Sequence, residues 1–367
     1  MINKRYWVEE SYLTSMADVI RNKTGKTDKI LFPDGFFDEI ANIETTPATA
    51  LPVLDSNYPE DVTVVEGVNI NANFNIVIAE PGIPAIYTYQ WYENGNPIEG
   101  ATSSIYNKTT DFVVGNYSIY CEITNEAGTV ISRIANFTIE SYLPTYTYTG
   151  NSTLIEDGNY NWRIKFLTTG DLTFTSFGNI NTTGIDCFLA GAGGGGHYSS
   201  SGGGGGGGGY VTTKMSIPIE LNTKYSIAIG GVALGGRGGT SSAFNLSAAG
   251  GYPGSGYVGG NGGSGGGGGT GYHKAGAVGG SNGANGGVGN SDYGPGGTGT
   301  GTTTREFGES TGTLYCGGGS GANQSSRIDE TCGAGGANGT TNRGGGGGGK
   351  KGYTYGGSGI VVIRNHR

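Results

Sequence analysis

The residues of this 367-residue chain with the most chemical capacity come in short islands: His197-Tyr198, Tyr272-His273-Lys274, Asp292-Tyr293, Arg305-Glu306-Phe307, and "NQSSRIDE" at 323–330, which holds Arg327. Each island interrupts a run of glycine. Tyrosine offers a large, rigid contact area at low entropic cost. The chemistry that Tyr198, Tyr272, His273, Asp292, Tyr293, Arg305, Phe307 and Arg327 could perform is therefore non-covalent recognition of a sugar or of a protein surface. Capping the edges of the glycine runs is the competing role for each tyrosine.

Bond-making chemistry has little support. His197, His273 and His366 lie far apart in sequence, and none adjoins a nucleophile motif. Gly344, Gly349 and Lys350 fit G-x-x-x-x-G-K, but Lys351 stands where Ser or Thr would hold magnesium, and no strand, loop and helix surround it. Glu306 with Glu309, and Asp329 with Glu330, read as neighbouring acids of polar loops. No enzyme, catalytic residue, cofactor or metal site is expected. Four cysteines are too scattered for a zinc site. Only Cys316 and Cys332 are close: bridged, they would close a loop of about 15 residues worth roughly 3 kcal/mol. Unbridged, they are two small buried thiols.

The elements that must position these islands fall into three parts. Thirteen of the 78 glycines precede Gly191 and the rest are crowded between Gly191 and Gly359. The net charge is −8 and no Lys/Arg stripe could follow a phosphate backbone, so nucleic acid is not an expected partner. The first residues, "MINKRYWVEESYL", contain no apolar run like a signal peptide, and no stretch of about 20 apolar residues occurs. The chain is expected to be made in the cytosol without membrane insertion.

Leu13, Met16, Ala17 and Ile20 share one face of a helix over 11–24, and a second helix is expected from Pro33, with Phe36, Phe37, Ile40 and Ile43 on its apolar side. Together they form a small helical hairpin, 1–46. "TTPATALP" (45–52) reads as a linker. The periodicity then changes to two, with a long strand at 68–79 and further strands through "AIYTYQWYENG" and "GNYSIYCEITNEAG". Tyr117, Ile119, Cys121 and Ile123 share one face, with Trp91 placed to pack on it. "YQWYENGNPIEGATSS" and "YCEITNEAG" resemble the C–C′ and F–G regions of an immunoglobulin-like β-sandwich, here 53–141. The first long strand has no cysteine to pair with Cys121, which therefore reads as a core residue. Such modules are mostly spacers, and exposed Tyr87, Tyr89 or Tyr92 could contact carbohydrate.

In 145–367, strand material brackets the glycine: "NWRIKFLTTGDLTFTSFG" and "GIDCFLAGAGGGG" before it, "GGSGIVVIR" after it. A flexible linker has no reason to return to a strand. Ordering such a region costs roughly 1–2 kcal/mol of backbone entropy per residue, and most positions have no side chain with which to offset it. The remaining source is hydrogen bonding between bare backbones. In polyproline II geometry every N–H and C=O points outward, so glycine strands laid side by side can exchange all of them. This predicts side chains directed outward at intervals of three, as in Asn261–Ser264–Thr270, Asn282–Asn285–Val288, Leu234–Arg237–Thr240 and Ala334–Ala337–Thr340–Arg343.

The framework "FLAGAGGGG…GGGGYV…YSIAIGG…GGTSSAFNLSAAGG…GGSGIVVIR" resembles the glycine-rich domain of phage tail fibres and tail adhesins, and is similar to the polyglycine II bundles of T-even-type distal adhesins. "YWVEESYLTSMADVIRNKTGKTDKILFPDGFFDEIANI" resembles a helical module of tail proteins from phages of Firmicutes. The resemblance implies a multidomain, mainly β receptor-binding protein of the virion tail: helical attachment module, immunoglobulin-like spacer, and glycine-rich β scaffold carrying a polyglycine II bundle. Its implied partners are a host polysaccharide or surface protein, other tail or baseplate proteins through 1–46, and further copies of itself. A structural tail component without receptor binding is the alternative.

Overall fold

The computed structural model describes residues 10–24, 49–67, 71–178, 184–199, 202–269, 276, 285–289, 305–322, 337–349 and 352–366. The second expected helix, and Tyr272, His273, Asp292, Tyr293, Arg327 and Cys332, lie outside them. The protein is mainly β, with one α-helix among the described residues, Glu10–Thr24, over the stretch where the spacing of apolar residues predicted it. Ile20 is buried, whereas Met16 and Val19 on the same helix are exposed. No helix among the described residues is long and apolar enough to cross a membrane.

The chain forms two compact units. The first comprises Met1–Glu60, Phe74–Tyr106 and Ser118–Ala135. Here Thr88–Glu93 pairs antiparallel with Gly115–Asn125, setting Trp91 opposite Cys121. Both are fully buried, Cys121 is a free thiol, and Trp91 packs against Phe74 and Tyr106. The strand expected over 68–79 is broken into Ala72–Asn75 and Ile78–Glu80. Its second piece pairs with Val53–Leu54. The expected linker is also tied down at its end: Ala50 and Ile83 exchange backbone hydrogen bonds at 2.9 Å, and the Asn125 side-chain amide donates to Ala50 O at 2.8 Å. Two hydrogen-bonded partners outweigh the flexible composition of that stretch.

The second unit comprises Asp61–Asn73, Asn107–Tyr117 and Asn136–Arg367. Its scaffold is two antiparallel sheets. One is ordered Ser152–Gly158, Asn161–Phe166, Ile360–Asn365, Ile185–Ala190, Val211–Ile217; the other Thr145–Tyr148, Gly170–Ser176, Lys224–Ile227. Alternate residues of both sheets (Trp162, Ile164, Phe166, Leu172, Phe174, Cys187, Leu189, Val361, Ile363) make one core. The opposite face of the larger sheet is covered as well, with Phe188, Ala190, Ile360 and Val362 packing on Phe307, Tyr315 and Cys316. Two covered faces explain why "IDCFLA" and "IVVIRN" are buried at every position rather than alternately. The last described strand enters the middle of the sheet, between segments about 175 and about 200 residues earlier, so the glycine tracts are folded excursions from this scaffold.

Candidate binding face

The strand Ile185–Ala190 continues directly into 191–197, and 203–209 returns to feed Val211–Ile217. Between these strands the hydrogen-bond partner changes at every residue, with a period of three. Gly204, Gly207 and Tyr210 donate their N–H to Gly256, Tyr252 and Ala249; Gly205 and Gly208 donate to Gly267 and Ser264; Gly206 and Gly209 donate to Gly347 and Gly344, all at 2.8–3.0 Å. The carbonyls follow the same rule. Those of residues 204, 207 and 210 accept from 197, 194 and 191; those of 205 and 208 from 260 and 263; those of 203 and 206 from 322 and 319. A chain with about three residues per turn presents every third amide in one direction, and this tract accordingly bonds to six surrounding segments.

The approach is closer than any side chain allows. A Cβ built on residues 203–209 would stand 1.9–2.2 Å from a backbone carbonyl oxygen in every case, and residues 202–209 are all buried. Glycine is required here by packing, and the amides supply about 0.5–1.5 kcal/mol net per bond. The outward rule for side chains holds at Leu234 and Val288, which are exposed, but not at Ser264, which is fully buried inside the bundle with its carbonyl serving Gly208.

Around residues 195–198 several bends meet. Gly195 N donates to Gly236 O and Gly195 O accepts from Gly254; Gly235 N donates to Thr354 O. Thr354 is the hub: buried, its hydroxyl accepts from Gly196 N at 3.0 Å and donates to Gly348 O at 2.9 Å. Fixing Thr354 inward turns Tyr353 and Tyr355 outward, 49% and 41% exposed. Tyr198, 46% exposed, lies 6.2 Å from the Tyr353 ring, which His197 meets edge-on at 5.4 Å. Gly235, at φ +59, lies under Tyr353, where a Cβ would be 2.2 Å from the ring. Exposed Leu234 bridges to Tyr355. The result is an aromatic face held on rigid backbone. Elsewhere in the unit the Arg237 guanidinium lies 4.2 Å over the Tyr252 ring.

Of the residues expected from sequence, the structure places Tyr198 on this face. Arg305 and Phe307 are elsewhere. Glu306 is fully buried, paired with Arg163, with Lys165 Nζ at 3.1 Å, and accepting from the Tyr315 hydroxyl at 2.7 Å. That ionic anchor draws the segment onto the scaffold, so Phe307 is 8% exposed, against Phe188 and beneath Arg364, instead of on the surface. Arg305 caps its own loop through Gly312 O at 3.1 Å. The buried Cys316 sulfur approaches the carbonyls of Gly191 and Tyr210 at 4.0 and 3.9 Å. Sequence reading missed Tyr353 and Tyr355, for which the alternation in "YTY" was the signal, whereas Leu234 was expected to point outward.

Folding also assembles Ser216, His366 and Asp186. His366 Nδ1 is 2.6 Å from Asp186 Oδ1, but Ser216 Oγ is 3.4 and 3.2 Å from the two ring nitrogens. A serine nearly equidistant from both lies off the lone-pair axis of either, and proton transfer needs an aligned bond. Asp186, which also holds Arg364 and the Ser216 N–H, anchors the bulge where Ser216 adopts φ 54. No cluster able to hold a metal ion occurs among the described residues.

The family described as Glycine-rich domain matches residues 168–366. No curated relative matches the sequence. Among solved structures, the chain is similar to SGBP-B of the Bacteroides ovatus mixed-linkage glucan utilization locus, solved in complex with a mixed-linkage heptasaccharide. Identity is 12% and the TM-score 0.18, with 56% of this chain and 65% of that chain covered. A score of that size carries neither fold nor ligand across.

Proposed function

The chain belongs to the glycine-rich domain family, and on that premise we propose that it is a receptor-binding adhesin of a phage tail, holding a host cell-surface polysaccharide or protein without bond chemistry. The observation that carries this reading is the exposed face of Tyr198, Tyr353 and Tyr355, set on a bundle whose backbone amides are paired strand to strand. Rigid aromatics on a pre-organised support lose little entropy on binding. The sequence framework's resemblance to tail-fibre glycine-rich domains supports the same reading, and that of residues 1–46 supports attachment to the tail. Weak contacts at one face would be multiplied by several copies on one virion. The immunoglobulin-like segment acts as the spacer between attachment and recognition.

The test is adsorption of labelled full-length protein to a panel of Firmicutes cells and their isolated walls. Replacing Tyr198, Tyr353 and Tyr355 together by serine is expected to reduce adsorption at least tenfold with the thermal transition retained. Unchanged adsorption of that folded variant would overturn the reading and favour a purely structural tail component.

A further inference from the structure

The second unit contains a cleft of about 590 Å³ that shares no lining residue with the aromatic face, lined by Lys214, Ile217, Lys224, Tyr225, Phe244 and Asn245 among others. That volume lies within the range of small-ligand sites. Tyr225 and Phe244 form one wall, their rings 5.2 Å apart and inclined at 43°. Tyr225 is held in place because its hydroxyl accepts from Glu220 N at 2.7 Å. Lys214 stands on the edge strand Val211–Ile217 and has no ion-pair partner among the described residues, while Lys224 is shared with Asp171 at 3.2 Å. No Asp or Glu occurs in the described lining. The Asp171 carboxylate, which also accepts from Ser226 Oγ at 2.8 Å, offsets Lys224, so Lys214 is the uncompensated charge of the lining.

The hairpin tip supplies an independent observation. Phe244 and Asn245 join Ser241–Ala243 to Leu246–Ala248 with φ of 51° and 60°. A two-residue connection with both central φ values positive selects Asn and Gly, and a bulky residue there is strained. This chain uses glycine freely, with 78 in all, yet holds a phenylalanine in that position, where its ring meets Tyr225 at the cleft. The strained tip holds the Phe244 ring, which with Tyr225 also packs against the scaffold core, as a fixed wall of the cleft.

We infer that this cleft is a second binding site, for an anionic saccharide: the apolar face of a sugar ring against Tyr225 and Phe244, and its carboxylate or phosphate on Lys214, with Lys224 contributing. The cleft shares no residue with the aromatic face, and its assignment does not rest on the proposed function of that face. A uronate and a glycosyl or polyol phosphate present the same chemistry, and the probes separate them.

The full chain is titrated with trigalacturonic acid, a glycerol-phosphate hexamer and neutral cellohexaose, read by saturation-transfer NMR and calorimetry at 50 and 300 mM NaCl. Binding of either anionic probe, weakened by salt and at least tenfold tighter than cellohexaose, is expected, and which one binds identifies the anion. Lys214→Glu, an exposed change, is expected to reduce it at least tenfold. Phe244→Gly is expected to do the same while relieving the turn, and a retained thermal transition shows that the fold is intact. The triple serine variant of Tyr198, Tyr353 and Tyr355 is expected to bind unchanged. Binding by none of the probes, equal binding of the neutral one, or loss in the triple variant instead of Lys214→Glu, overturns the assignment.

Discussion

The scaffold and the bundle of the second unit are built on the same continuous strands, yet they are ordered by opposite means. In Ile185–Ala190 the partner strands are constant and side chains interdigitate on both faces. One residue later, from Gly191, the partner rotates with every amide, and apart from the buried methyl of Ala192 a Cβ added at Gly191 or at Gly193 to Gly196 would stand within 2.5 Å of a backbone oxygen. The first region is specified by the atoms its residues carry, the second by the atoms they lack. Close packing makes the scaffold sensitive to removal of volume and the bundle sensitive to its addition.

The largest expected effects test that symmetry. Phe166→Ala, in the middle of the scaffold core and 4.7 Å from the Tyr148 ring, is expected to cost about 3–5 kcal/mol in denaturant unfolding. Gly206→Ala adds one methyl 2.0 Å from Gly194 O, and is expected to cost about 3 kcal/mol, at the upper end of overpacking. Gly231→Ala, where a Cβ meets nothing within 4 Å, should stay within about 0.5 kcal/mol of the parent. Equal effects at Gly206 and Gly231 would break the comparison, since glycine would then be serving flexibility and not packing.

A hydrogen-exchange experiment sharpens it at smaller energetic scale. Amides 204–209, each bonded and buried, are expected to exchange as slowly as those of Ile360–Asn365, although no side chain shields them. Fast exchange confined to 204–209 would mean that the bundle is not a solid and that the face it supports is not pre-organised.

What could be read from sequence follows the same division. The helix at 11–24 and the strands around Trp91 and Trp162 carry their periodicity in side chains, the closing strand is a continuous apolar run, and all appear as expected. The three-residue rotation of the glycine strands followed from backbone geometry, whereas the choice of six neighbours left no trace in a run of identical residues. Among the site residues, Tyr198 stands out locally because aromatics interrupt glycine there. Phe307 looked the same by that criterion, but its neighbour Glu306 finds Arg163 and Lys165 across some 140 residues, and no local pattern announces such pairing. Tyr353 and Tyr355 depend on Thr354 facing inward, which is decided by Gly196 and Gly348.

The finest distinction is whether the two regions open together. Cys187 sits in the scaffold core and Cys316 at the seam with the bundle, both fully buried. Burial raises the Cys187 thiol well above its ordinary pKa of 9.0. A raised folded-state value means that this group's contribution to stability is fully present below pH 9 and declines only as the pH rises beyond it. At pH 8 in reducing buffer, then, neither titration nor access favours alkylation of the native protein. As denaturant is added below the midpoint, both cysteines are expected to label at the same rate, resolved by peptide mass. The reason is that the strand carrying Cys187 is the one that continues into 191–197, and the carbonyl of Gly191 contacts the Cys316 sulfur. Labelling of Cys316 ahead of Cys187 would show that backbone-only packing yields first, and would separate a robust scaffold from a bundle that merely rests on it.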